Sequence, residues 1–283
     1  MMYRHIAPVL YRDFRCIADE CPANCCSAGW SITWTAAEVE RLKNSQCPKH
    51  ISDKISTAFD GDKYCTVHLD SDGSCPFLTA QGLCAIQKDM GEQYLSYTCR
   101  QYPRISRFFG DVMLSSCRPT CYAVMDRLYS ESDCMELTEY LSDADVEALI
   151  TDGHEKAQRL GVFGKVREIL WRGDIEASLA DIATLYNIKQ TDDIQTRFEQ
   201  RYGWSIIASD SAKAPDHAVR NIVLALFMEY MITRYDARLS EEQNIAELLF
   251  KAQAVIVAVN GAAALCEDRT QLLCSIADFI AAL

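Results

Sequence analysis

The sequence lacks most of the short motifs from which an activity is read directly. It has no G-x-G-x-x-G and no G-x-x-x-x-G-K-[ST], and Gly161-Val162-Phe163-Gly164-Lys165 does not supply the spacing, so dinucleotide and phosphate-loop chemistry are excluded. The five histidines, at 5, 50, 68, 154 and 217, form no local motif for triad hydrolysis. C-x2-C is missing throughout, which weighs against both a zinc ribbon and the usual thiol redox pair. The longest apolar run, Ile222 to Met231, is interrupted by Glu229 and is too short to span a bilayer. The opening MMYRHIAPVLYRDFRC holds no apolar core of a secretory signal. A cytoplasmic protein without a membrane partner is therefore expected. Neither part of the chain is basic: 14 Lys+Arg face 16 Asp+Glu up to residue 134, and 14 face 24 beyond it, which excludes a nucleic-acid partner. The acidic second part suits a cationic partner or a solvated surface.

Cysteine is what the sequence has in excess. Fourteen occur in 283 residues, and twelve of them lie between Cys16 and Cys134. A chain of this length that is 49% hydrophobic can bury a core without covalent staples. In a reducing compartment, such a density points to metal binding or redox chemistry rather than structural disulfides.

The cysteines also divide the chain. Up to residue 134, short elements surround them. A capping box at Thr35-Ala36-Ala37-Glu38 opens a helix to Asn44, and Cys65 to Leu69 alternates as a strand. Asp70-Ser71-Asp72-Gly73 is a turn, and Cys75 to Leu78 and Leu83 to Ile86 flank a second turn at Gln81-Gly82, which makes a small meander. Lys88 to Thr98 reads as a helix, Ile105 to Ser116 as a hairpin around Gly110-Asp111, and Pro119 as the first turn of another helix. Beyond Cys134, amphipathic helices are predicted over 136–150, 154–171, 175–186, 193–202, 216–238, 241–259 and 268–282. No Pro-rich or Gly/Ser-rich linker separates the parts. The expected fold is mainly α with a small β meander: an irregular cysteine-rich metal-cluster domain over 1–134, packed on an all-helical domain over 135–283.

Thiolates are soft ligands that select zinc, copper(I) or iron–sulfur clusters. The spacing Cys16-x4-Cys21-x3-Cys25-Cys26, followed by isolated Cys75, Cys84, Cys99 and Cys117, is not that of a zinc finger. Side chains of the neighbours Cys25 and Cys26 diverge in an extended segment, so they either face different centres or divide between metal binding and packing. Gly29 permits a tight turn beside a bulky centre; Trp30 either roofs it or is a core side chain. The C-x3-C-x2-C of radical enzymes that cleave S-adenosylmethionine is missed twice, at Ala28 after Cys21-x3-Cys25 and at Val124 after Cys117-x3-Cys121. In Thr98-Cys99-Arg100-Gln101-Tyr102-Pro103-Arg104, the arginines are placed to offset thiolate charge or hold a carboxylate.

Taken in order, Tyr11-x2-Phe14-x-Cys16-Ile17, Cys21-x3-Cys25-Cys26 with Gly29-Trp30, Cys75-Pro76-Phe77-Leu78, Leu83-Cys84-x-Ile86, Gly91-Glu92 ahead of Cys99, Tyr102-Pro103-Arg104 and Leu114-x2-Cys117 resemble the flagellin lysine-N-methylase family, which belongs with proteins carrying a cysteine-rich zinc- or iron-chelating domain. The resemblance covers about the first 130 residues. A thinner echo runs from Arg220-Asn221-Ile222 through Tyr230 to Arg234-Tyr235. It implies methyl transfer from S-adenosylmethionine to the ε-amine of flagellin lysines, or those of another lysine-bearing protein, with an iron–sulfur cluster as cofactor, of the 4Fe-4S type or else replaced by zinc. Carried onto matching positions, the metal ligands come from Cys16, Cys21, Cys25, Cys26, Cys75, Cys84, Cys99 and Cys117. Cys47, Cys65, Cys121 and Cys134 fall outside the pattern and read as packing residues or redundant thiols. The reaction needs a neutral lysine, whose unperturbed pKa is about 10.4. Tyr102 is the candidate base or amine orienter, with Tyr94 and Tyr97 behind it; Arg100 or Arg104 is the candidate anchor of the cofactor carboxylate, and Trp30 lies beside the cofactor. The competing classes are a non-catalytic zinc- or iron-binding module acting as sensor or scaffold, and an electron-transfer or thiol redox protein.

Overall fold

A computed structural model of the protein describes residues 2–283 except 31, 61–63, 144–152, 173, 190–192, 207 and 209–212. The mainly helical class expected from the sequence is observed. Seven strands occur among the described residues: β1 Met2–Pro8, β2 Thr33–Thr35, β3 Phe59–Asp60, β4 Tyr64–Val67, β5 Arg104–Phe109, β6 Val112–Cys117 and β7 Leu137–Asp143. They form two sheets, in the orders β5-β6-β1-β7 and β2-β4-β3.

The chain divides into two compact units, Arg15–Tyr102 and the combination of Met1–Phe14 with Pro103–Leu283. These limits differ from the expected division near residue 134, and the pairing of β1 gives the reason. That strand lies parallel to β6, with His5 opposite Met113, and antiparallel to β7 over seven residue pairs from Met2↔Asp143 to Pro8↔Leu137. The N-terminal strand, the 104–117 hairpin and the strand after Cys134 thus belong to one sheet, in the same unit as the C-terminal helices.

The second part is therefore not all-helical. The helix expected over 136–150 is strand β7 over Leu137–Asp143, and 144–150 lie outside the described residues. Leu137-Thr138-Glu139-Tyr140-Leu141 carries alternation and β-prone Thr and Tyr, a short pattern that periodicity alone does not separate from a helix. The remaining expected helices occur at Gly153–Leu170, Ile175–Leu185, Ile194–Tyr202, Asp216–Glu229, Glu241–Leu265 and Arg269–Ala282. The helix Asp216–Glu229 is buried almost all round, from Ala218 to Met228 with Arg220 as its one half-buried break, and so serves as the central element of its unit. Buried Asn221 donates from Nδ2 to the carbonyls of Leu128 (3.3 Å) and Glu131 (2.6 Å), tying this helix to the end of the helix Tyr122–Ser130. Pro119 precedes that helix instead of opening it; Cys121 is its N-cap.

The unit Arg15–Tyr102 packs around Trp34, Leu42, Ile51, Phe77 and Ile86, with Cys65 and Cys75 buried among them. The predicted capping box is present: Thr35 Oγ1 accepts from the Glu38 N–H at 3.3 Å, and Glu38 Oε2 accepts from the Thr35 N–H at 2.8 Å. It starts the helix Ala36–Lys43. The helix expected over 88–98 is broken into three pieces, Ala85–Met90, the 3-10 turn Glu92–Tyr94 and Tyr97–Gln101. Gly91 causes the first break, since its φ of +97° leaves the helical region. In place of the second turn of a meander, Leu78 and Cys84 form a single antiparallel bridge.

Candidate metal centre

Five cysteines of the unit Arg15–Tyr102, from four separate segments, lie within one another's electrostatic field. Cys25 and Cys26 lie on the 3-10 turn Cys25–Ser27, which Asn24 caps by accepting from the Cys26 N–H at 2.9 Å. The other end of the Asn24 amide donates from Nδ2 to the carbonyl of Gly82, in the turn before Cys84. Cys75 joins the first segment through its own N–H, which donates to the Cys26 carbonyl at 2.7 Å. Cys84 is the N-cap of the helix Ala85–Met90. Cys99 lies in the first turn of the helix Tyr97–Gln101, whose cap, fully buried Ser96, accepts from the Cys99 N–H at 3.0 Å.

Backbone polarity is directed at these sulfurs. The N–H groups of Gln87 and Ile86 face the Cys84 thiol, the Phe77 N–H faces Cys75, and the Ser96 side chain bonds Cys99. Each favours a thiolate. Burial opposes them and wins in the protonated protein: it pushes Cys75 and Cys99 up to about 11 and raises Cys84. The negative charge of Cys25 raises all three further, as the thiols lie within one another's field.

Cys25 and Cys26 behave as a pair. The 3-10 turn sets their thiols in mutual hydrogen-bonding contact, where an extended segment would have separated them. Hydrogen bonding from Cys26 lowers Cys25 to about 7 against desolvation, and the same bond, burial and the neighbouring thiols push Cys26 far up. Cys25 is exposed and is the natural first thiolate of the group. Gly29 adopts φ +73° just after this turn, a conformation disfavoured for residues with a Cβ.

The other expected ligands stand differently. Cys16 is exposed, with its sulfur 3.4 Å from the Ala18 N–H, and half-buried Cys21 follows the 3-10 turn Ala18–Glu20. Cys117 belongs to the other unit, at the end of β6, where burial pushes it up to about 12 against the favourable charge of Arg104, with Cys121 as its thiol neighbour. Cys65 and Cys134 pack as small buried side chains; the Cys134 thiol donates to the Arg127 carbonyl at 3.6 Å.

The 98–104 stretch is divided between the units. Half-buried Arg100 lies one residue after Cys99, and Tyr102 caps the end of that helix. The Tyr102 ring meets Trp30 edge-on, with centroids 4.3 Å apart, so two of the expected site residues touch. Arg104 begins β5 and is engaged elsewhere: Nε donates to the Tyr11 carbonyl at 3.2 Å, Nη2 to the Phe14 carbonyl at 2.9 Å, and its cation lies over both rings. Sequence reasoning missed Asn24 and Ser96. The signal available was a polar cap residue, Asn before Cys25-Cys26 and Ser three before Cys99.

Among the described residues, no three His, Cys, Asp or Glu side chains close on a point that could hold a metal ion. The protonated chain thus gathers thiols as neighbours without forming a closed shell. Their chemistry nevertheless fits a thiolate-held group, because soft donors are neighbours and N–H groups are aimed at the sulfurs. Metal binding would displace the protons that burial now retains.

Fold and site together define a mainly helical protein with a thiol-gathering unit. Over 140 residues, the chain is 29% identical to lysine-N-methylases of Salmonella choleraesuis (strain SC-B67) and Salmonella typhimurium (strain LT2), a match to 47% of this chain and 34% of each relative. It is 28% identical over 137 residues to the flagellar biosynthetic protein FliU of Salmonella muenchen, covering 47% of this chain and 80% of that protein. The chain thus spans about a third of the length of the two lysine-N-methylases it matches. No family profile and no solved structure matches it.

Proposed function

We propose that the chain is a protein lysine N-methyltransferase of the flagellar system, using S-adenosylmethionine and carrying an iron–sulfur cluster. The observation that carries this reading is the similarity to curated lysine-N-methylases, in a chain whose neighbouring cysteines come from four segments. Cys25, Cys26, Cys75, Cys84 and Cys99 are the residues that would hold the cluster. When bound, it supplies a rigid cross-link among those segments and a one-electron store.

In the transfer itself, the lone pair of a neutral lysine nitrogen attacks the sulfonium methyl carbon. The carbon–sulfur bond breaks, S-adenosylhomocysteine leaves, and the nitrogen loses its proton. The neutral amine requires desolvation or a nearby base. Tyr102 is proposed to orient the amine or accept that proton, with its ring fixed against Trp30. Arg100, next to Cys99, is proposed to bind the cofactor carboxylate; Arg104 shares that proposal with fewer donors to spare, since Nε and Nη2 already serve Tyr11 and Phe14.

The test is transfer of a labelled methyl group from S-adenosylmethionine to flagellin lysines by anaerobically purified protein. Labelled methyl-lysine is expected, and its absence with cluster-loaded protein would remove the methylase reading. Tyr102→Phe is expected to lower the transfer rate by at least about tenfold, within the range of general acid–base effects. Undiminished transfer would take Tyr102 out of the reaction.

A further inference from the structure

Four polar side chains on and beside the sheet β5-β6-β1-β7 form one hydrogen-bonded line that neither the thiol group nor the methyl transfer uses. His5 Nε2 lies 2.8 Å from Ser115 Oγ, which lies 2.7 Å from Ser106 Oγ, which lies 3.1 Å from the Tyr11 hydroxyl. Strand register creates this line. Ser106 and Ser115 are directly opposite in the hairpin, and β1 runs along the other side of β6 with His5 beside Met113. Alternation then puts Ser106, Ser115 and His5 on one face of the sheet, where Tyr11, from the helix Val9–Asp13, reaches them.

Burial is graded along the line. Ser115 and His5 are buried, whereas Ser106 is exposed, on an edge strand of the sheet. Aromatic neighbours set the His5 ring: Tyr140 at 4.7 Å, Tyr11 at 5.5 Å and Tyr3 at 6.2 Å between centroids. Burial lowers the His5 pKa from its ordinary 6.5, so the imidazole is neutral at pH 7. The titratable groups facing it are those three phenols; beyond them stand two cations, Arg12 in the field of Tyr140 and Arg104, 5.8 Å from the Tyr11 centroid. Both cations also favour the neutral ring. With the imidazole proton on Nδ1, every link donates inward: Tyr11 to Ser106, Ser106 to Ser115, Ser115 to His5 Nε2. An accessible hydroxyl thus stands at one end of the line and an unprotonated base at the other.

We propose that Ser106 is a nucleophilic serine that takes up an acyl group from an activated ester or thioester, with Ser115 and His5 as its proton relay. Ser106 Oγ bonds to the acyl carbon; its proton passes to Ser115 Oγ, and the Ser115 proton passes to His5 Nε2. The bond from the acyl carbon to the leaving oxygen or sulfur breaks, and that group departs as a phenolate or thiolate. The Tyr11 hydroxyl beside Ser106 Oγ is placed to donate to the developing oxyanion. Once Ser106 is acylated, its oxygen no longer carries a proton, so the line cannot return the His5 proton to the leaving group. The site therefore selects donors whose leaving group is stable as an anion. This assignment does not rest on the methyl-transfer reading.

Treatment of the full chain with a fluorophosphonate, which marks activated serine hydroxyls by the same displacement with fluoride as the leaving anion, tests the proposal. Peptide mass spectrometry is expected to place the adduct on Ser106. The labelling rate should be level above pH 6.5, the ordinary histidine value, and should fall at lower pH as His5 takes up a proton. At pH 7 the rate should drop by at least about tenfold in Ser115→Ala and in His5→Gln, each compared at a recorded thermal midpoint. An unmodified Ser106 would overturn the proposal. So would undiminished labelling in either folded variant, or a wild-type rate that rises with hydroxide throughout, as for an unassisted hydroxyl. The wild-type pH profile needs no substitution, so refutation does not depend on the variants folding.

Discussion

At the scale of single residues, burial and hydrogen bonding separate cysteines that look alike in sequence. In metal-free folded protein, Cys25 should be half ionised at about pH 7, because Cys26 donates to its thiolate. Alkylation by iodoacetamide should label Cys25 first, with a rate rising through pH 7, whereas Cys75 and Cys99, raised to about 11, should react only at much higher pH. Mass spectrometry of the modified peptides would show the order, and uniform labelling would contradict it. Cys99→Ser should lower bound metal, while Cys65→Ser should leave metal content unchanged and destabilise the core by about 1–2 kcal/mol, because it buries a hydroxyl in place of a small apolar group. Cysteine positions were legible from composition and order alone. Their proximity was not, since it depends on ties such as Asn24 to Gly82, 58 residues apart.

At the scale of elements, the short pieces around the cysteines are held by caps rather than by length. Glu38 closes the capping box of the helix Ala36–Lys43, and its other oxygen accepts from the Tyr97 N–H at 2.8 Å, at the start of the helix that carries Cys99. Glu38→Ala should therefore cost about 1–2 kcal/mol in denaturant unfolding and loosen Cys99 together with its helix. Asn24→Ala should release the Cys25–Cys26 turn from the turn before Cys84, giving faster metal loss to a chelator; an unchanged rate would show that the tie is dispensable. The capping box could be read because its signal is local. Strand β7 was misread because its identity comes from pairing with β1, 129 to 141 residues earlier in the chain. Gly91 broke a helix that apolar spacing alone had carried through.

At the scale of the whole molecule, the metal-free protein should have a distinctive response to pH. Cys75 and Cys99 are acids whose neutral form the fold favours, so the stability they contribute is fully present below their ordinary value of 9.0 and is lost as pH rises towards 11. Cys84 and Cys26 act in the same direction. Cys25 acts oppositely: its depressed value favours the fold above 9.0 and loses that contribution as pH falls through about 7. The thermal midpoint of metal-free protein should thus fall above pH 9, and metal-loaded protein should fall less, because its thiolates are already ionised. A midpoint that rises above pH 9 would contradict the burial of these thiols. The mainly helical class was legible in the periodic helices after residue 153, while the division into units was not, because long-range pairing of β1 determines it.

Cys25, Cys26, Cys75, Cys84 and Cys99 are proposed to hold a metal group. The most direct test of that proposal is iron, sulfide and zinc analysis with an absorption spectrum, all on one anaerobically purified sample. The expected result is a brown protein with about four iron and four sulfide per chain, reduced in Cys99→Ser. Stoichiometric zinc without sulfide would contradict the iron–sulfur assignment, and a colourless protein with neither metal would contradict the metal centre itself.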